Sequence, residues 1–418
     1  MTIQRLKAGV AEAEISVKAG VALAAELNPR PAKGARTPLM AKALVLDNGE
    51  ETLAVVTLDL YGLQSEAAER LTSAIAEQCN LKPEAVLLVC SHTRGAPYTT
   101  PVVGWPGVHQ QTIDQVVDKV PRVVVQAKAN LQAASLGVGA VQVPHLVYNH
   151  RLVTRNMKVI SAWLGIPKNE VLAPEGPIDP QFSVVVIRDN HGFPFCLLWN
   201  FAADFRFAQD DQVSADLPYF VQQELDARLE RHVPVLYLSA CGGNISYQQG
   251  LESTVEGVTS ALMAAQLETS CDPVIRLACV QEKMILPIRD YSQYWSQPEV
   301  EWKCPQGVDA FAREVEYLQQ EGARAVATRV QAFRLGPFAL VGLPGMPFVE
   351  FALQIKENSP ARATLVAGNV GGYVGYVITR QAFEDGGFES WPARSAKVGL
   401  GGGEFMADSA VCMLKALW

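Results

Sequence analysis

Thr52–Leu60 (TLAVVTLDL), Ser65–Gln78 (SEAAERLTSAIAEQ) and Ala85–Cys90 (AVLLVC) decide the fold class. The first and third are short, almost continuous apolar runs, the composition of strands buried on both faces. Between them, apolar residues recur at helical spacing. Strand, helix, strand in this order reads as a crossover unit of an α/β protein.

The same alternation continues outward along the chain. Thr112–Ala134 carries a helical pattern that Pro121 is expected to kink or interrupt. Phe182–Arg188 and Phe193–Phe201 flank Asp189-Asn190-His191-Gly192, a hairpin signal. Leu217–Leu229 reads as a helix, Pro234–Ser239 as a strand and Ser253–Leu267 as a helix. Later come strands near Ala327–Leu335, Phe338–Gly342 and Ala363–Ala367, with helices at Pro347–Lys356 and Glu404–Leu417. Crossovers and hairpins together predict an α/β fold of mixed sheets with flanking helices. His145–Pro180, rich in Pro, Asn and Gly, is a long irregular excursion of the kind that carries function. Gly399–Gly403 is a second flexible spot. No repeat, low-complexity tract or linker divides the sequence, so residues 1–418 are expected to form one domain.

Composition bounds the function. The 418 residues are 49% hydrophobic and only 19% charged, with net charge -8, and no Lys/Arg cluster offers a nucleic-acid footprint. The opening residues, MTIQRLKAGVAEAEIS, lack a basic-then-apolar leader, and no apolar run reaches 18 residues. Eight scattered cysteines without a CxxC pair then read as reduced thiols. The expectation is a cytoplasmic protein with a small-molecule substrate, and a homo-oligomer on base rates alone.

Strand ends that run into polar loops are where sites gather in α/β sheets. Five such segments stand out. In Cys90-Ser91-His92-Thr93-Arg94-Gly95, a His and an Arg follow a buried strand; an ordinary loop His beside a surface Arg is equally compatible. In Asn200-Phe201-Ala202-Ala203-Asp204-Phe205-Arg206, the Asp and Arg alone would read first as a structural ion pair. In Ser239-Ala240-Cys241-Gly242-Gly243-Asn244-Ile245-Ser246, glycines permit a sharp turn whose N–H groups could bind an oxyanion. Leu343-Pro344-Gly345-Met346-Pro347-Phe348-Val349-Glu350 leads into a helix and sets Met346 and Glu350 four residues apart. Asn369-Val370-Gly371-Gly372-Tyr373-Val374-Gly375-Tyr376 reads as a pocket wall or a bulged strand.

Taken together and in this order, the five segments resemble the catalytic domain of neutral/alkaline ceramidases and their bacterial ceramidase-like relatives. Lys7-Ala8-Gly9-Val10-Ala11, Leu58-Asp59-Leu60-Tyr61-Gly62 and Ser214-Ala215-Asp216-Leu217-Pro218 extend the resemblance along the chain. It implies that family's α/β fold, without room for its C-terminal immunoglobulin-like domain. It also implies hydrolysis of an amide or ester in a small or lipid-like substrate. In that family two histidines, a glutamate and a tyrosine hold zinc. His92 and Tyr376 match the first His and the Tyr, whereas Asp204 stands for the second His and Met346 for the Glu. Arg94 stands for a substrate-site His of an HTHSGP-like segment, and Phe388 for a tyrosine near the substrate. Ser246 matches the nucleophile of a GDxSP-like segment. The arginine of an Asn-Arg segment falls near Asn149-His150-Arg151 without a fixed register.

These departures act in one direction. Asp can bind zinc, but a thioether is a poor Zn²⁺ ligand, and Arg94 sets a positive charge where the cation would lie. They imply a lapsed zinc site without cofactor, or, if a metal is retained, ligation by His92, Asp204, Glu350 and Tyr376. The expected catalytic set is Ser246, His92, Arg94, Tyr376 and Asp204, and the expected substrate-binding set is Gly243, Asn244, Tyr373, Arg206, Phe388 and Arg151. Metal-free acyl transfer, condensation or cyclisation in specialised metabolism, and a catalytically silent binding protein, stand as the alternatives.

Overall fold

The three segments quoted first fold as read. In the computed structural model Thr52–Leu58 is a strand, Ser65–Cys79 a helix, and Val86–Cys90 a strand parallel to the first. All residues are described except 1–4, 18–19, 25–30, 105–106, 206, 208–210, 291–304, 323 and 392.

Among the described residues the same unit occurs three times. Pro194–Phe201 crosses through the helix Leu217–Leu229 to the parallel strand Val235–Ser239. Phe338–Gly342 crosses through Val349–Asn358 to the parallel strand Ala363–Ala367. In each sheet antiparallel strands extend the parallel pair. Met40–Asp47 and Lys7–Glu14 do so in the first, Gln181–Arg188 and Ser135–Gln142 in the second, and Ala325–Leu335 and Leu277–Pro287 in the third. This mixed α/β architecture is the predicted fold class. Its threefold recurrence is structural and leaves no repeat in the sequence.

One apolar cluster draws on all three sheets. Val55, Leu87 and Val89 come from the first, Val185, Leu198, Leu236 and Leu238 from the second, and Phe333, Leu340 and Leu365 from the third. A buried strand with apolar residues on both faces is what such a shared core requires. Helices cover each sheet's other side. Gln110–Ala129 packs with Ser65–Cys79 on the first, Leu251–Leu267 with Leu217–Leu229 on the second, and Gly402–Leu417 with Val349–Asn358 on the third.

Two expectations are corrected. Gln110–Ala129 is one helix that Pro121 does not interrupt. Its face of Ile113, Val116, Val120, Val124 and Ala127 is buried, and that packing offsets the single N–H a proline removes. The excursion His145–Pro180 is also less irregular than its composition suggests. It contains the strands Val147–Asn149, Arg151–Thr154, Val159–Ser161 and Val171–Pro174. Among the described residues the seven cysteines are free thiols, and no helix is long and apolar enough to cross a membrane.

Candidate active site

The candidate residues follow the C-terminal ends of the parallel strands, as open α/β sheets favour. Tyr61 follows Leu58, and His92 and Arg94 follow Cys90. Asp204 follows Phe201, and Ser246 comes soon after Ser239. Met346 follows Gly342, and Tyr373 and Tyr376 follow Ala367.

His92 is fixed by backbone and ring together. Its φ of 67° is unusual for a non-glycine residue. Its Nδ1 lies 2.8 Å from the Tyr61 carbonyl, which can only accept, so Nδ1 carries the proton. The Tyr61 and Tyr373 rings flank it, with centroids 4.0 and 5.8 Å away. Asn369, also at positive φ, donates through Nδ2 to the carbonyls of Tyr61 and Cys90 and ties the three loops together.

Arg94 Nη2 donates to Asp204 Oδ2 at 2.9 Å, and the Asp204 side chain is 4% exposed. Burial pulls the Arg94 pKa down, but the charge of Asp204, with Tyr61 and Tyr376 nearby, outweighs it, and the net shift is upward. Arg94 is therefore a permanent cation at this site. Asp204 in turn is bridged to Ser246, and its N–H donates to Ile245 O at 2.9 Å. The ion pair and the serine are thus locked in register.

The remaining ligand-position residues have other partners. Met346 is 2% exposed, pairs in register with Tyr376, and lies in an apolar cluster with Tyr61, Tyr373 and Phe348. Glu350 accepts from Asn244 Nδ2 at 2.9 Å, and burial raises its pKa. Among the described residues His92, Asp204 and Glu350 do not form a group able to hold a metal ion, so the fallback ligand set is not assembled.

Several expected substrate-binding residues have structural work instead. The Gly242 N–H donates to Ala240 O and that of Gly243 to Pro347 O, so neither is available to an oxyanion. Asn244 is fully buried; its Oδ1 accepts from the Val349 N–H and its Nδ2 serves Glu350. Arg151 is also fully buried, on Glu175, Glu389 and the Gly386 carbonyl. Phe388 is partly exposed and packs edge-on against Tyr376 and Trp163. Arg206 lies outside the described residues.

Sequence reasoning missed two residues here. The strand Ile245–Tyr247 pairs with Val147–Asn149, which delivers His150 beside the serine. His150 Nδ1 lies 2.8 Å from Ser246 Oγ, and its Nε2 lies 3.1 Å from Glu389 Oε1. Within Asn149-His150-Arg151, His150 is the residue that meets Ser246. Opposing effects act on Glu389. Burial raises its pKa, while the His150 hydrogen bond and the Arg151 charge lower it, to about 2 in all. A histidine inside the segment aligned with Asn-Arg was the one available signal; nothing in the sequence tied it to Glu389.

Comparison with solved structures gives the fold a name. A ceramidase complexed with C2 superposes at a TM-score of 0.77, with 16% identity over 99% of this chain and 75% of that one. It has a ceramidase fold. Neutral ceramidase from Pseudomonas aeruginosa superposes at 0.74, with 18% identity over 99% of this chain and 74% of its own. This chain thus spans about three quarters of the length of these ceramidases. Neither a family model nor a curated protein matches the sequence.

Proposed function

We propose that this ceramidase-like chain cleaves an amide or ester bond in a small or lipid-like substrate through Ser246, without zinc. One observation carries this reading: the backbone of Ser246 pairs in a β-bridge with that of Asp204, whose carboxylate holds Arg94. The nucleophile that the resemblance names is retained, and a guanidinium stands beside a position where the resemblance expects a metal ligand.

The donor set does not fit a zinc ion. Asp204 is engaged by a cation, Met346 offers a thioether, and Glu350 is turned to Asn244. Arg94 supplies positive charge without a metal. A guanidinium can bind a substrate carboxylate or stabilise a developing oxyanion, and the pocket's burial strengthens either interaction. His92 and Tyr376 complete the polar face. With the Gly242 and Gly243 N–H groups committed elsewhere, Arg94 is the natural oxyanion donor. Metal-free acyl transfer to an acceptor other than water would use the same acyl-enzyme and the same residues.

The test is turnover of a panel of N-acyl amides and acyl esters by the purified chain and by Ser246→Ala. Slow hydrolysis that persists in a chelator and disappears in Ser246→Ala supports the reading. Activity unchanged in Ser246→Ala overturns it.

A further inference from the structure

We propose that Ser246, His150 and Glu389 form a catalytic triad, in which His150 is the general base that takes the proton from Ser246. This rests on the reading of Ser246 as a nucleophile and supplies the activation that such a serine needs once no metal-bound water is present. Serine is a weak nucleophile at its own pKa and needs an adjacent base held by a third group.

The geometry has that form. Ser246 Oγ to His150 Nδ1 is 2.8 Å, and His150 Nε2 to Glu389 Oε1 is 3.1 Å, both within general-base reach. The carboxylate can only accept, so Nε2 carries the ring's proton and Nδ1 presents a lone pair to the serine hydroxyl. The ring is turned over relative to the familiar serine-hydrolase arrangement, but each partner keeps its role.

The burial gradient runs in the sense catalysis requires. The side chains of His150 and Glu389 are 1% and 0% exposed, whereas Ser246 is partly exposed. A base screened from water thus meets a serine that keeps some exposure. Glu389 is held on every side. Oε1 also accepts from Ser161 Oγ at 3.0 Å, and Oε2 accepts from Arg151 Nη1 at 2.6 Å. Arg151 is in turn engaged by Glu175. The Trp163 ring meets His150 edge-on with centroids 4.4 Å apart and limits its rotation. A carboxylate kept this deep and this well hydrogen-bonded orients an imidazole and stabilises it when protonated. His150 is thus a catalytic residue, and Glu389, Arg151 and Ser161 are positioning residues.

The chemistry balances without a co-reactant. Ser246 Oγ attacks the acyl carbon as its proton passes to His150 Nδ1. The tetrahedral intermediate collapses, the C–N or C–O bond breaks, and His150 returns that proton to the leaving amine or alcohol. Water then gives a proton to His150 Nδ1 and adds to the acyl-serine. The ester bond to Ser246 breaks, Oγ recovers the proton, and a carboxylic acid leaves.

A fluorophosphonate probe, which traps activated serines, tests this without knowledge of the substrate. Labelling of the full chain, read by intact and peptide mass spectrometry, is expected at Ser246 and absent in Ser246→Ala. His150→Asn is expected to slow labelling by about 10²–10⁴-fold. It should also change the pH profile, from a plateau set by one ionisation to a rate that keeps rising with hydroxide. Glu389→Gln is expected to slow labelling at an unchanged site. Labelling of Ser246 at the native rate and with the native profile in His150→Asn would overturn the triad and leave the Ser246 nucleophile standing. No labelling of Ser246 in the native chain would remove the nucleophile itself. If His150→Asn does not fold, the native profile decides: a plateau supports the triad, and a rate proportional to hydroxide throughout overturns it.

Discussion

Replacing Arg94 with Met removes the cation and leaves the buried Asp204 carboxylate behind. The pair is 2.9 Å apart, and Asp204 is 4% exposed against 17% for Arg94. Removing one partner of a buried pair costs about 3–5 kcal/mol, because the other charge stays desolvated. Arg94 retains some contact with water, so the lower end of that range, about 3 kcal/mol, is expected for Arg94→Met. Asp204→Ala alone should cost less, since the guanidinium is the partner that can still reach solvent. The double variant should recover a large part of the loss, with a coupling of about 1.5–3 kcal/mol. Urea unfolding of the native chain, the two single variants and the double, followed by far-UV circular dichroism, gives the cycle. Single-variant losses that simply add, with coupling below about 0.5 kcal/mol, would show that the pair is not an energetic unit and refute its role as a fixed charge in the pocket.

Two further outcomes follow from the same geometry. Burial raises the Asp59 pKa to about 6 from 3.8, against the opposing influence of Lys42 and the Met40 N–H. Between those values the folded chain holds a proton the unfolded chain has released, so stability falls as pH rises through that window. Asp59→Asn, which keeps an acceptor for Met40, should remove this loss, on the order of 3 kcal/mol, and gain most over the native chain above pH 6; equal differences in melting temperature at pH 4 and pH 8 would contradict it. At Gly243 a Cβ would lie 2.5 Å from the Met346 carbonyl oxygen and 3.0 Å from that of Pro347. Gly243→Ala should cost about 1–3 kcal/mol by overpacking and displace the turn that carries Ser246. Gly107→Ala, with open space around it, should shift thermal unfolding by less than about 0.5 kcal/mol, and equal effects would contradict the argument.

The crossover units were legible because their strands are continuous apolar runs buried on both faces. Phe338–Gly342 and Ala363–Ala367 were read to the residue. Strands built from less telling residues were not found. Lys7–Glu14 (KAGVAEAE) is written largely in good helix formers and is a strand because Met40–Asp47 pairs along its whole length. At the site, each strand-end loop could be read singly. The Ser246–His150–Glu389 contacts could not, because the residues are 96 and 239 positions apart and local pattern does not encode which loops the three sheets bring together. The engagement of the Gly242 and Gly243 N–H groups was hidden for a related reason. Gly243 is required by the close approach of Met346 and Pro347, and Gly242 by that of Ala203 and Asp204, tertiary contacts that a GGN motif does not reveal.

The central claim is that the chemistry of Ser246 is independent of metal. Its most direct test is elemental analysis of the purified full chain, with the pre-steady-state burst of p-nitrophenyl acetate measured before and after chelation. Zinc far below one equivalent and a Ser246-dependent burst that the chelator leaves unchanged are predicted. One equivalent of zinc, whose removal abolishes the burst and whose return restores it, would contradict the claim.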